Sequence, residues 1–516
     1  MASRTSKGLK NSRVAILYYV VNLIVGFFSR KVFLDYLGSE VLGLNTTAQN
    51  ILGFLNLAEL GIGSAIACTL YKPLGDNDRK SIAEVVSLQG WMYRRIAYFV
   101  GGASLTAMFF FPLFFKSIEL PLWYAYTSFG VFLYSSLLTY FVNYRQILLS
   151  ASQQEYLITY NYSIVLLVKS IIQIFALMYL PYPYVCWLVL QVLCATAASL
   201  NLNRAIRKAF PDVKVDLSKG KILAKKYPFV IIKVKQLFFH KIAGFVLGQL
   251  SPLIIYAYTT LTMVAIYGNY MMIVTGLTMM CSTIFAGINA GVGSLVAEGN
   301  KEKVLSVFEE LFSARFFLVC IICFCFIRLT PSFITLGIGS QYILPQSTLY
   351  VITAIMYLTL TRTIVESYIY AYGLFKDVWA PIIETILNVG LSILFGYYYG
   401  ITGILSGVFI SMVVIVFLWK PFFLFTYGLQ ESLWIYVKMY LQNLFAMIVS
   451  VIISSFLLSF IKLDPAENFL NFTIQAIASC IILAIVVYIL LFICTQGMKD
   501  FTCRMGHIIK NKFTNK

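Results

Sequence analysis

Charged and amide side chains able to hold an anion or a proton stand inside otherwise apolar stretches of this 516-residue sequence. The basic ones are Arg30, Lys169, His240, Lys241 and Arg362; the acidic or amide ones are Asn45, Gln49, Asn56, Glu59, Glu366 and Glu384. A charge at bilayer depth is costly unless it is paired or faces water, so each is a functional candidate. Cationic groups suit phosphate-type anions, and a carboxylate among amides can take a proton or a small cation. Ranked by depth, His240 and Lys241, then Arg362 and Lys169, then Arg30 form a ladder for an anion.

Each of these groups also has a plainer role open to it. Arg30 shares a helical face with Asn22, Gly26 and Phe33, a stripe that either lines a cleft or ties the helix to a neighbour. Lys31 and Asp35, at i, i+4 spacing, can pair locally, which leaves Arg30 unpaired within its own helix. Asn45, Gln49, Asn56, Glu59 and Gly63 read as one polar face of the second helix, with Glu59 either an ion or proton acceptor or the partner of Arg30. Lys169 and Gln173 stand four apart at mid-depth, and the lysine is expected to face a cavity. His240 and Lys241 fall near the cytoplasmic end of the seventh helix, where snorkelling alone could account for the lysine. Arg362 and Glu366 are spaced for an internal salt bridge, while Glu384 and Asn388 share a face that ligand binding or helix packing could use.

The elements that must position these groups are membrane helices. A chain that is 60% hydrophobic and 12% charged, with mean hydropathy +0.83, has too much apolar surface for a water-soluble globule. Apolar runs predict helices at about 14–37, 46–71, 92–115, 121–142, 156–180 and 183–203, then at about 233–256, 264–296, 313–335, 346–370, 379–399 and 402–425. A final pair is expected at about 436–461 and 469–495, making fourteen in all. The first run comes after Arg4, Lys7, Lys10 and Arg13 but leads into Arg30 and Lys31, so it reads as a retained helix and not a cleaved signal.

The net charge of +18 could point to nucleic acid, yet the basic residues gather in alternate connections: the N-terminus, Lys72 to Arg95, Arg204 to Lys235, Lys301 to Arg315, and the tail from Lys499. That pattern predicts both termini in the cytoplasm and no nucleic-acid partner. Cys320, Cys323 and Cys325 have no distant second ligand pair and read as small residues packed in a helix. No cofactor is expected.

An internal repeat runs at an offset of about 223 residues. Asn45 corresponds to Asn269, Asp76-Asn77-Asp78-Arg79-Lys80 to Gly299-Asn300-Lys301-Glu302-Lys303, and Ala151 to Tyr156 to Gly373 to Val378. Six helices per repeat give both halves the same topology, related by an axis along the membrane normal. The expected fold is therefore an all-α integral membrane protein of two pseudo-symmetric lobes, with an N-terminal lobe and basic linker over 1–225, a second lobe over 226–427, and an extra helix pair with a basic tail over 428–516.

Several stretches resemble the polysaccharide flippases of bacterial O-antigen, capsule and exopolysaccharide assembly, within the multidrug, oligosaccharidyl-lipid and polysaccharide exporter superfamily. They are Ser29-Arg30 with Gly38 and Leu42-Gly43-Leu44, Leu57 to Ile66, Leu70 to Leu74, His240-Lys241-Ile242, Tyr267 to Tyr270 and Gly400 to Gly403. The resemblance covers the first twelve helices; the last pair matches in number and not in motif.

It implies a MATE-like, non-enzymatic transporter of the bacterial inner membrane that moves an undecaprenyl-diphosphate-linked oligosaccharide from the cytoplasmic to the periplasmic leaflet. Membrane lipid, a polysaccharide polymerase and glycosyltransferases are the partners it implies, with a proton or sodium as candidate counter-ion. A diphosphate cannot cross hydrocarbon unaided. A basic, hydrated cleft opened alternately to each side removes that barrier, and the membrane potential favours outward movement of an anion by about 2.3 kcal/mol per charge per 100 mV. The rival within the superfamily is a cation-coupled multidrug exporter. A membrane glycosyltransferase or polymerase would need large extramembrane loops, and the connections here are short; a non-transporting scaffold is the remaining alternative.

Overall fold

The computed structural model describes residues 2–514 apart from Leu60, 116–117, Gln153, 286–291, 293–294, 297–298, 375–376 and Val378. Among the described residues there is no strand. Within hydrocarbon every backbone N–H and C=O must find its partner inside the segment, which leaves the helix as the form for such apolar runs.

The first half contains α1 (Ala2–Leu55), α2 (Ile62–Gly75), α3 (Arg79–Phe109), α4 (Trp123–Phe141), α5 (Ile164–Tyr179), α6 (Pro183–Ala209), the short α7 (Gly220–Lys226) and α8 (Pro228–Tyr258). After it come α9 (Leu261–Phe285), α10 (Lys301–Gly337), α11 (Gln346–Ala371), α12 (Trp379–Met412), α13 (Leu433–Leu458), α14 (Phe469–Cys494) and α15 (Gln496–Thr514). Among the described residues nine helices are long and apolar enough to cross a membrane, or ten if Trp123–Phe141 and the segment Asn143–Ala151, bent by 60°, form one span. The chain is a multi-pass membrane protein.

The two longest of the nine run well past a single crossing: Leu17–Leu55 has 39 residues and Trp379–Leu429 has 51. Each is interrupted by a glycine with positive φ, Gly38 at 82° and Gly400 at 55°. That backbone region penalises any residue with a Cβ, so glycine is where the chain can turn inside an apolar run.

The contacts divide the chain into two compact units, Met1–Ala265 and Ile266–Lys516. In the first, a core of Ile66, Leu70, Val85, Val86, Phe111 and Phe129 joins α2, α3 and α4. The start of α9 belongs to this unit and touches α1: Ser39 and Thr262 share a hydroxyl hydrogen bond of 3.2 Å, and a Cβ on Gly43 would collide with the Leu261 carbonyl.

In the second unit Phe312, Phe316, Tyr357, Tyr436 and Tyr440 pack ring against ring, with the Tyr357 and Tyr440 hydroxyls 2.6 Å apart. α14 lays Leu483, Val487 and Leu491 in a core with Cys320 and Phe324 of α10.

Two expectations are corrected. The second helix is not continuous: α1 ends at Leu55, a 3-10 turn covers Asn56–Glu59, and α2 starts after Gly61, which has φ 90°. The segment Lys301 to Arg315 is not a loop but the first part of α10, and it buries Arg315 to 1% exposure. The basic tail from Lys499 is a helix, α15, seated on α10 with Gly497 against the Glu309 carbonyl and Arg504 3.0 Å from Glu310.

Candidate functional site

The break between α1 and α2 positions Glu59. A helix interrupted inside the membrane frees backbone groups and turns its side chains off the common face, which holds only where protein or water receives them. Tyr93 of α3 donates its phenolic hydrogen to Glu59 at 2.9 Å, and the ring of Tyr140 from α4 lies against Tyr93 with centroids 5.7 Å apart. Asn56 accepts from Ser136 of α4 at 3.3 Å.

Before the break, the chain makes a second polar knot. Asn45 is buried and accepts from Ser128 of α4 at 2.5 Å, and Ser128 shares a 2.6 Å bond with Tyr184 of α6. Gln49 is exposed. The expected single stripe of Asn45, Gln49, Asn56, Glu59 and Gly63 is therefore divided, because the turn at Asn56–Glu59 rotates the residues beyond it.

Arg30 is half-buried and donates to the Ala265 carbonyl at 3.1 Å. No ion pair joins it to Glu59 among the described residues, and Lys31 and Asp35 are exposed and do not pair with each other. Lys169 donates to Gln191 of α6 at 2.7 Å, and Gln173 donates to the Trp187 carbonyl at 3.1 Å, so the two polar groups of α5 are spent on its hairpin partner. The side chains of His240 and Lys241 lie outside those described.

The second unit gathers acid around one cation. Arg362 pairs with Glu366 at 2.9 Å within α11, and the buried carboxylate of Glu384 on α12 is within electrostatic reach of the same guanidinium. Glu366 pairs with this guanidinium and the charge of Glu384 also acts on it, so the surroundings of Arg362 are more acidic than a bare anion site. Asn388 donates to Ser411 at 3.4 Å, binding the two arms of the helix on either side of Gly400. Asp377 and Lys420, which the spacing rules do not single out, form a largely buried pair at 2.9 Å.

Arg315 is a further buried charge that those rules miss. It donates to the Leu360 carbonyl at 2.8 Å and the Cys281 carbonyl at 3.5 Å, lies 4.5 Å from the Phe285 ring centroid, and leaves one terminal nitrogen without a partner. Its signal in the sequence is Leu311, Phe312, Phe316 and Phe317, which make its setting apolar on both sides. No group of three His, Cys, Asp or Glu placed to hold a metal occurs among the described residues.

The described helices define a class, a multi-pass helical membrane fold with broken spans and charged side chains inside them. No protein-family model and no curated protein matches the sequence. Solved structures do. The chain is similar to the lipid II flippase MurJ in an inward closed conformation, with TM-score 0.63 and 15% identity over 92% of this chain and 99% of that one. It is similar to an inward-facing multidrug resistance MATE family transporter of the MOP superfamily, with TM-score 0.57 and 15% identity over 80% of this chain and 97% of that one. A MATE protein in complex with MaD3S gives TM-score 0.51 and 14% identity over 83% and 97%. At such identities the matches establish a shared fold.

Proposed function

We propose that this chain is a flippase carrying a diphosphate-linked oligosaccharide on an undecaprenyl lipid from the cytoplasmic to the periplasmic leaflet, by alternating access, for a bacterial surface polysaccharide. The observation that carries the reading is coverage. The flippase fold accounts for 92% of the chain, whereas the MATE transporter leaves about a fifth of it unmatched. That remainder is close to the length of the expected extra pair and tail over 428–516.

In this reading there are fourteen spans. The helices broken at Gly38 and Gly400 each supply two, and α3, α8 and the bent helix after Trp123 join the remaining apolar helices. Two six-helix lobes over 1–225 and 226–427 carry the transport, with both termini in the cytoplasm of the inner membrane. The bond between Ser39 and Thr262 supports the repeat, since these residues are 223 apart and near-equivalent positions come together close to a two-fold axis between repeats. Asn45 and Asn269, which correspond in the repeat, are both buried.

Arg30 and Lys169, with His240 and Lys241 on α8, are the cations proposed to lower the cost of a diphosphate at membrane depth, while Arg362 is balanced by its own acids. Glu59, Glu366 and Glu384 supply proton or sodium sites, with Asn45, Gln49 and Asn56 as polar neighbours. A polymerase and glycosyltransferases of the same assembly line supply and consume the lipid-linked glycan.

Reconstitution tests the reading. In proteoliposomes loaded with a polyprenyl-diphosphate oligosaccharide, the wild type should expose glycan to an impermeant lectin, and Arg30→Ala should slow exposure at least tenfold with unchanged protein level. Absence of any transfer overturns it. The acidic balance around Arg362 favours one second reading, a cation-coupled multidrug exporter. Efflux of ethidium driven by a proton or sodium gradient, without glycan movement, would establish that instead.

A further inference from the structure

The short helix α7 and the turn that leads into α8 present an arrangement that transport does not use. In a seven-residue helix at 3.6 residues per turn, Gly220, Leu223 and Ala224 fall on one face and Lys221, Ile222 and Lys225 on the other. Gly220 sits against the indole of Trp91, where a Cβ would collide, and Leu223 is buried to 6% exposure. The opposite face carries Ile222 at 69% exposure, with exposed Lys221 and Lys225 beside it. The next apolar side chains in line, Phe229 and Ile232, are 41% and 56% exposed, and the Lys233 ammonium lies 5.1 Å from the Phe229 ring centroid.

The rotation of α7 is held from outside the helix. Lys226 and Tyr227 both reach the same Glu84 oxygen of α3, at 2.5 and 2.6 Å. Upstream, Asp212 pairs with Arg79, and the Asp216 backbone N–H donates to Ser87 at 2.9 Å. These ties prevent the isoleucine from rolling inward, so its exposure is built in. A strongly exposed isoleucine and phenylalanine ringed by lysines fit poorly in water and well in the interfacial layer of a bilayer, where apolar side chains reach the acyl boundary and lysines meet phosphates.

We propose that the outer face of α7 with the start of α8, comprising Lys221, Ile222, Lys225, Phe229 and Lys233, is a binding surface for anionic phospholipid headgroups, and that it seats the first unit in the charged leaflet. The complementarity extends beyond these residues. Arg204, Arg207 and Lys208 at the end of α6 and Lys214 and Lys219 on the linker after it are also exposed, and the linker's acids are engaged: Asp212 with Arg79, and Asp216 with Ser218 and Lys219. The surface takes a phosphate headgroup attached to an acyl anchor, and the exposed apolar residues distinguish that ligand from free phosphate.

The test uses the full chain in detergent, delipidated and titrated with phosphatidylglycerol or phosphatidylethanolamine, with bound lipids counted by native mass spectrometry. Wild type should retain phosphatidylglycerol preferentially. A lysine near an anionic surface is worth about a factor of five, so Lys221→Gln/Lys225→Gln should weaken phosphatidylglycerol retention roughly thirtyfold and leave phosphatidylethanolamine unchanged. Ile222→Ser should weaken it with the charges intact. An unaltered melting temperature in detergent verifies that the variants fold. Equal retention of phosphatidylglycerol by wild type and the double variant overturns the proposal. So does displacement of the lipid by inorganic diphosphate at matched concentration, which would make this a bare phosphate site.

Discussion

The hydroxyls of Ser39 and Thr262 meet at 3.2 Å although the residues are 223 positions apart, close to the offset expected for an internal repeat. In the proposed two-lobe reading a contact at this offset is where the lobes would pivot with little displacement. In Ser39→Cys/Thr262→Cys, with the native cysteines replaced, a thiol oxidant should cross-link the pair and stop transport, and reduction should restore it. Cross-linking without loss of transport would show that this seam does not move.

Tyr93 and Glu59 make a separable pair of predictions. Tyr93→Phe removes the 2.9 Å donor to the carboxylate and should lower stability by about 2 kcal/mol, read as a fall in melting temperature in detergent. Glu59→Gln keeps an oxygen to accept from Tyr93 and should melt near wild type. If Glu59 also serves ion coupling, this variant loses gradient-driven transport alone, and unaffected flipping would remove Glu59 from that role.

Arg315 joins three helices through the Leu360 and Cys281 carbonyls and the Phe285 ring. Arg315→Ala leaves a cavity and an unmet carbonyl and should cost about 3 kcal/mol. Arg315→Lys cannot reproduce the planar fork and should recover only part of that loss. Chemical denaturation tracked by the near-ultraviolet signal of the second unit's aromatic cluster measures both.

Gly43 faces the Leu261 carbonyl so closely that a methyl group has no room. Gly43→Ala should destabilise by about 1–3 kcal/mol through overpacking, whereas Gly26→Ala, at a position with open space, should be nearly neutral.

The Glu84 latch has a defined pH dependence. The hydrogen bonds from Lys226 and Tyr227 hold the Glu84 carboxyl below its ordinary value. A carboxylate depressed in the folded state contributes stability that is present above its unfolded value and lost as the pH falls through its folded value. Hydrogen exchange of residues 213–227, corrected for intrinsic rate, should therefore stay slow at neutral pH and rise only on the acid side of the usual glutamate range. Glu84→Gln should open the same segment at neutral pH, measured as faster trypsin cleavage after Lys221 and Lys225.

Hydropathy located the helices because lipid solvation is a local sum over consecutive residues: the expected 346–370 is Gln346–Ala371, and 469–495 is Phe469–Cys494. It failed where the cause was geometric. The Asn56–Glu59 turn depends on the backbone at Gly61, and Leu57-Ala58 is as apolar as any helix interior. The i, i+4 rule found Arg362 and Glu366 because both partners lie on one helix. It could not find Glu59 with Tyr93 or Lys169 with Gln191, whose partners are 34 and 22 residues away.

Composition and order along the chain alone determined that this protein is helical, lives in lipid, and carries charge inside its spans. Tertiary structure decided what the other charges touch: Arg315 a set of carbonyls, Lys169 an amide, Glu59 a phenol. The reason is physical. Burial of an apolar run depends on the run itself, whereas the partner of a polar group depends on which helix packs beside it, and neighbouring helices are chosen by the packing of all of them.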